Sequence, residues 1–396
     1  MKTLIQNVTD RGGNKLDLLL EGGLVAASGP AGSIAKPQGA EGIDADGYLL
    51  LPPLVDAHAH LDKTVLGMDW CVNELGPRLI DRIDNERVSR KKIGLNTRVQ
   101  AGRLMELAMA QGTLFMRSHV DVDTVNGLSC LEGVLEACAA YRDRFHVELV
   151  AFPQSGLISS PGAMELMDQA MALGADLVGG VDPAAIDRDP KGGVDAIFRL
   201  AEKYGKGIDL HLHEPGPLGA FTMELIAAHT LASGMQGKVT ISHALCLGDA
   251  DKTMVAGLVE KLAEANIQIT TGGQPYVPTV PSVKQLTAAG VNIAGGNDNI
   301  RDMWSPFGTA DMLERAQFIA MRNGFRRDDE LELALDVCTK NGADLMGLEG
   351  YGVKPGGRAD LVLVKARNAA ECVAGHPAER MVIRGGTLIA KNGTLL

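Results

Sequence analysis

The sequence predicts an α/β protein, a (β/α)8 TIM barrel with a small β-sandwich domain formed from both chain termini. Three observations predict it. Short apolar runs of strand length recur through the middle of the 396-residue chain, each followed by a stretch with helical spacing. Eight such runs can be counted, and after a long first gap they follow at about 24–35 residues, the length of one βα unit. Both ends carry strand-like runs that cannot close a sheet alone but can complete one another. A doubly wound open sheet is the alternative. It announces itself by a glycine-rich phosphate loop after the first strand, and here that strand ends in His58-Ala59-His60.

In order, residues 2–8, 16–21, 24–28 and 48–51 are apolar runs separated by Gly, Asp, Asn and Pro, and read as strands. The barrel strands begin near Leu50, Thr113, Glu148, Leu177, Gly207, Val239, Gln268 and Asn292. Residues 104–111, 163–173, 194–204 and 254–265 combine good helix formers with helical spacing. At the C-terminal end, 359–364 and 381–390 read as strands, with a Gly385-Gly386 turn inside the second. The expected division is therefore residues 1–52 with 351–396 as the small domain, and 53–350 as the barrel.

Composition narrows the function classes. Hydrophobic residues make up 45% and charged residues 22%, enough for a large core. Lys plus Arg number 38 against 49 Asp plus Glu, a net charge of −11, so there is no electrostatic footprint for nucleic acid. No run of eighteen apolar residues suggests a membrane span. Residues 1–7 show no apolar signal core, and the six Cys, from Cys71 to Cys372, show no CxxC pair. A reduced, cytoplasmic protein is the expectation.

Five of the nine His fall at or just beyond predicted strand ends: His58 and His60 on the first strand, His119 on the second, His211 on the fifth, His243 on the sixth. Asp298 follows the eighth. In a (β/α)8 barrel these ends converge on one mouth, and imidazole and carboxylate suit Zn²⁺ or Fe²⁺. Alternate strand residues point the same way, so His58 and His60 both face the axis. On spacing alone His211 or His213 can serve as the fifth-strand ligand.

The blocks at 51–63, 117–123, 150–156, 209–214, 242–244 and 298–308 together resemble the amidohydrolase superfamily, in the branch of the cytosine deaminases and the N-isopropylammelide isopropylaminohydrolases. The resemblance implies metal ligands His58, His60, His211 and Asp298. It implies one divalent ion, Zn²⁺ or Fe²⁺, because the fourth strand, 176–182, lacks the Lys that bridges two metals in binuclear members. It assigns Glu214 a proton shuttle, His243 the polarisation of water or substrate, and Asp298 the acceptance of a proton from the activated water. Taken alone, Glu214 would be a solvated carboxylate and His243 a core histidine.

For substrate contacts, Gln154 offers a donor and an acceptor matched to an N–C=O ring edge. Asn299 stands where cytosine deaminases carry a second Asp. Trp304 would either wall the pocket or pack beneath its loop. Lys63 and His119 are expected to stand behind these residues, with Asp62 paired to Lys63. The chain mixes the two patterns: Asn299, Asp182 and His213 resemble the triazine enzymes, Glu214 the cytosine deaminases. The implied function is a mononuclear metal-dependent hydrolytic deaminase of a small nitrogen heterocycle, releasing ammonia. The alternatives are release of an alkylamine from an s-triazine or hydrolysis of a cyclic amide. A small-molecule substrate is the expected partner, and a homo-oligomer follows by analogy with other barrels.

Overall fold

Strands too short to stand alone are gathered here into two sheets. The computed structural model describes residues 2–396. The chain opens with β1 (Lys2–Thr9), β2 (Lys15–Glu21), β3 (Leu24–Pro30), β4 (Glu41–Asp44) and β5 (Leu49–Leu51). The barrel strands follow as β6 (Leu54–Ala59), β7 (Thr113–Asp121), β8 (His146–Phe152), β9 (Leu177–Val181), β10 (Gly207–His211), β11 (Val239–Ser242), β12 (Gln268–Thr271) and β13 (Ile293–Gly295). The chain closes with β14 (Leu361–Val364), β15 (Arg380–Arg384), β16 (Thr387–Lys391) and β17 (Thr394–Leu395).

Strands from the two ends join in one nine-stranded sheet, ordered β17-β16-β15-β14-β5-β1-β2-β3 with β4 beside β1. Hydrogen bonding thus makes one continuous sheet of the expected sandwich, and its two halves share a core. Ile5, Leu18 and Leu20 from one half meet Leu361, Leu363 and Ile383 from the other. The two-residue strand period divides labour: Leu50 enters this core, while Leu49, Leu51, Val362 and Val364 point the other way, into the barrel's core. Gly385 and Gly386 have φ of 56° and 81°, the left-handed pair that a tight β15–β16 hairpin requires.

The barrel strands pair in chain order, β6 through β13, and all the pairings are parallel. β6, β7, β9 and β13 are buried along their whole length; β9 and β13 carry no polar side chain, whereas in β6 and β7 a short apolar run precedes the charged residues and histidines. The first barrel strand begins at Leu54 rather than near Leu50. Leu49–Leu51 is spent on β5, and Pro52-Pro53, which cannot donate a ladder hydrogen bond, breaks the run. The barrel closes where Asp298 N donates to His58 O at 2.7 Å, with an Ala59–Asp298 bridge beside it. Gly296 lets the two segments meet: a Cβ there would lie 2.5 Å from His58 Cβ and 2.6 Å from its carbonyl oxygen. Among the described residues no helix is long and apolar enough to cross a membrane.

Candidate active site

β6 carries His58 to the floor of the barrel mouth, with His60 just beyond it, and both side chains are buried. β10 brings His211 to 4.6 Å from His58 and 5.5 Å from His60, between ring centroids. Asp298 Oδ1 lies 3.2 Å from His60 Nε2 and 3.6 Å from His58 Nε2. His243, after β11, stands 4.8 Å from His58 and 5.0 Å from His211. His119 is fully buried within the cluster, 4.2 Å from His58, and does not reach the cavity.

Several of these imidazole nitrogens are left without partners. His58 Nε2, His60 Nδ1, both nitrogens of His211 and His243 Nε2 are shut from solvent and make no hydrogen bond. Burying polar atoms this way is costly unless something binds them. His58, His60 and Asp298 offer donor atoms within 4.8 Å of one another, and so do His58, His211 and His243. These residues therefore fit a divalent metal ion. The donor chemistry agrees: burial first, then the neighbouring imidazoles, keep His211 and His243 well below the usual histidine pKa, so they present lone pairs. Burial opposes ionisation of Asp298, but the adjacent His58 and His60 imidazoles hold it well below the usual carboxylate range.

A relay orients His58. Ser242 Oγ is 2.6 Å from Asp209 Oδ1 and 2.8 Å from both His58 Nδ1 and Thr270 Oγ1. The carboxylate only accepts, so it takes the single hydroxyl hydrogen of Ser242. The serine oxygen then accepts from His58, which fixes the proton on Nδ1 and bares Nε2 toward the cluster. Asp209 is held in turn by Arg117 at 2.9 Å. Three residues at the rim adopt left-handed backbone without being glycine: Asp182 (φ 37°), His243 (φ 69°) and Asp298 (φ 62°). Strain of this kind, about 1–3 kcal/mol each, concentrates at functional sites.

Above the cluster lies a cavity of ≈ 840 Å³, counted to its open mouth. Its floor is His60, His211, His243 and Asp298. Gln154 lines it with both ends of its amide engaged: Oε1 accepts from Lys63, and Nε2 donates to Glu86 at 2.9 Å. Asn299 also lines it, but its amide nitrogen is spent on Asp302 Oδ2 at 2.7 Å, which leaves its carbonyl oxygen free to receive a donor. Trp304 forms a wall, tied by Nε1 to Glu86 at 2.5 Å. Lys63 lines the cavity as well and pairs with Asp121 at 2.9 Å and Glu86 at 3.3 Å. The expected partner Asp62 turns instead to Arg90, at 3.7 Å.

The two candidates on the His211–Glu214 stretch are placed differently from the expectation. His213 lines the cavity, stacks on His243 at 4.3 Å, and binds Asp182 Oδ2 through Nδ1 at 2.8 Å. Burial lowers its pKa, but Asp182 outweighs that and raises it. Glu214 is buried outside the lining. Its Oε1 accepts from Ala184 N at 2.7 Å and Ala185 N at 2.9 Å, and its Oε2 from Thr222 at 2.5 Å. The Glu214 carboxylate is thus held by two loop amides and a hydroxyl and is not among the residues that line the cavity.

Sequence reasoning missed the roof. The helix Leu79–Ile93, inserted between β6 and the helix Thr97–Ala110, lays Leu79, Arg82 and Ile83 over the cavity at i, i+3 and i+4, while Glu86 at i+7 holds the wall residue Trp304 from behind. Leu245, Val277 and Val280 supply an apolar side to the same cavity.

Comparison with known proteins agrees with this architecture. The amidohydrolase family model matches residues 93–390. N-isopropylammelide isopropyl amidohydrolase of Pseudomonas sp. (strain ADP) is 33% identical over 368 residues, covering 89% of each chain. Among solved structures, N-isopropylammelide isopropylaminohydrolase from Burkholderia multivorans ATCC 17616 aligns with a TM-score of 0.96 over 100% of both chains, at 46% identity. 5-methylcytosine deaminase from Klebsiella pneumoniae, liganded with 5-fluorocytosine, aligns at 0.86 with 29% identity, over 98% of this chain and 97% of that one.

Proposed function

The chain belongs to the amidohydrolase family, and from that premise we propose that it is a mononuclear metal-dependent aminohydrolase that removes an amino substituent from a small nitrogen heterocycle. His58, His60, His211 and Asp298 would hold one Zn²⁺ or Fe²⁺. Bound there, the ion would supply Lewis acidity and lower the pKa of water toward neutrality. One observation carries the reading: buried, unpartnered imidazole nitrogens converge with an ionised Asp298 on the floor of a cavity sized for a small molecule.

The chain's own groups divide the remaining work. Asp298 is placed to accept a proton at its carboxylate. His213, held by Asp182, takes the proton-carrying role toward the ring that the family resemblance implies for Glu214. Support for this is geometric: His213 faces the cavity beside His243, whereas the Glu214 carboxylate is fully hydrogen-bonded elsewhere. His243 points an unpartnered nitrogen at the reacting centre. Gln154 and the Asn299 carbonyl orient the ring edge, and Trp304 with Phe152 encloses its faces.

An N-alkyl substituent is favoured over a bare amino group. Leu245, Val277 and Val280 form an apolar side that a cytosine-sized ring does not need, and the 46% identical relative carries a name that specifies an isopropylamine-releasing reaction. Simple deamination is the second reading, kept by the 5-methylcytosine deaminase likeness. Product analysis separates them: metal-loaded protein is offered N-alkylated aminotriazines and cytosines, and alkylamine and ammonia are quantified. Alkylamine release that survives Glu214→Gln but not His213→Asn supports the assignment. Absence of either amine across the panel refutes it.

A further inference from the structure

The roof helix leaves one cation over the cavity unclaimed. Arg82 is half-buried and lines the cavity, and its Nε is shut from solvent without a hydrogen-bond partner. Among the described residues its guanidinium makes no ion pair or side-chain hydrogen bond. The helix's own acids are already committed. Asp81 pairs with Arg78 at 2.5 Å, Asp84 with Arg87 at 3.4 Å, and Glu86 with Lys63, Arg90 and Trp304. Across the cavity, Asp182 is held by His213. The other lining cation, Lys63, is offset by Asp121 and Glu86.

A guanidinium kept partly from water with no counter-charge is costly, and its planar fork matches two coplanar oxygens or an O–C–N edge. The cavity's charge points the same way: the single carboxylate on the floor faces buried imidazoles, and nothing opposes Arg82 at the roof. We propose that the substrate is an anionic heterocycle, with negative charge on oxygen at the edge away from the bond cleaved, and that Arg82 receives that edge. The charge has two sources, an ionised ring imide or a carboxylate substituent. The proposal rests on the cavity being the substrate site, as in the preceding reading, and adds the charge class of the substrate.

Binding of non-reacting ligands tests it separately from catalysis. Titration calorimetry on the metal-loaded full chain at neutral pH compares barbiturate (an ionised ring), orotate (a carboxylate on a neutral ring) and uracil (neutral). At least one anion binds about tenfold or more tightly than uracil, and the anion preferred identifies the source of the charge. Arg82→Gln abolishes that preference and leaves uracil affinity unchanged, with metal content and circular dichroism intact. Arg142→Gln, on an exposed residue at the barrel's opposite end, keeps it. Equal affinity for all three ligands, or a uniform loss in Arg82→Gln, overturns the proposal. Anion preference without turnover of any amine-bearing ring overturns the aminohydrolase reading alone. Turnover of neutral rings with kcat/KM equal to or above that of anionic ones overturns the charge assignment alone.

Discussion

Replacing Ser242 by Ala cuts the relay that orients His58 while leaving every proposed metal ligand in place. Ser242 receives the His58 Nδ1–H at 2.8 Å and donates to Asp209 at 2.6 Å. Alanine strands that N–H in a fully buried setting, a loss of about 1–3 kcal/mol. It also frees the ring to move its proton to Nε2, the nitrogen aimed at the cluster. Orienting partners of this kind are worth about 10–100-fold in metal affinity, or about 1.4–2.7 kcal/mol. The assay is competition for Zn²⁺ against a chromogenic chelator, with the fold checked by circular dichroism. The affinity of Ser242→Ala is expected to fall within that range. Affinity within about twofold of the parent, in a correctly folded variant, would show that the relay does not orient a metal ligand.

Three further outcomes can be measured. Gly296→Ala forces a methyl to within 2.5 Å of His58 Cβ at the barrel seam, and should lower the denaturant midpoint by an amount equivalent to about 1–3 kcal/mol; an unchanged midpoint argues against a tight seam. Glu86→Ala removes the shared acceptor of Lys63, Arg90, Gln154 and Trp304. It should destabilise the chain by about 3–5 kcal/mol and speed hydrogen exchange across Leu79–Ile93, and unaltered exchange would count against the roof being pinned there. Asp302 is raised from 3.8 to about 7, by burial first, against hydrogen bonds from Asn299 and the backbone N–H groups of Ser305 and Trp304. Its contribution to stability is complete below pH 3.8 and lost as pH rises through about 7. Unfolding free energy should thus decline over that window by up to about 1.4 kcal/mol per pH unit, and Asp302→Asn should flatten the decline; an identical slope in the variant would refute it.

Much of the barrel was legible because burial on both faces turns a parallel strand into an apolar run. Thr113, Leu177, Gly207, Val239 and Gln268 begin their strands where the sequence puts them. The gathering of His58, His60, His211 and His243 with Asp298 was legible for a topological reason, since barrel strand ends must converge. The roof was not. Along Leu79–Ile93 the mean composition is strongly polar, and Glu86 and Arg90 look like solvated surface charges. They are buried only because Lys63, Asp62 and Trp304 arrive from elsewhere in the chain to pair with them. Such pairing is non-local, and no local pattern encodes it. The β4 strand was missed for the opposite reason: Glu41–Asp44 is an exposed edge with one apolar residue, so it carries no burial signal.

The placement of Glu214 follows from what the chain does after β10 ends at His211. In an extended chain successive side chains alternate, so residues two apart share a side and residues three apart do not. β10 ends at His211, so this alternation does not carry on to Glu214, whose carboxylate accepts instead from the backbone N–H groups of Ala184 and Ala185. Spacing in a motif records how far apart two residues stand, whereas parity records which way they face. An acid three residues beyond a ligand can reach the reacting centre only if the chain turns between them. Here His213 N and Glu214 N both donate to Asp182 Oδ1, at 2.6 and 3.2 Å; adjacent N–H groups reach one oxygen only where the backbone bends, so the bend is made around the Asp182 carboxylate. The Asp182 carboxylate also holds the His213 ring, so one residue both positions His213 at the cavity and fixes the backbone that carries Glu214.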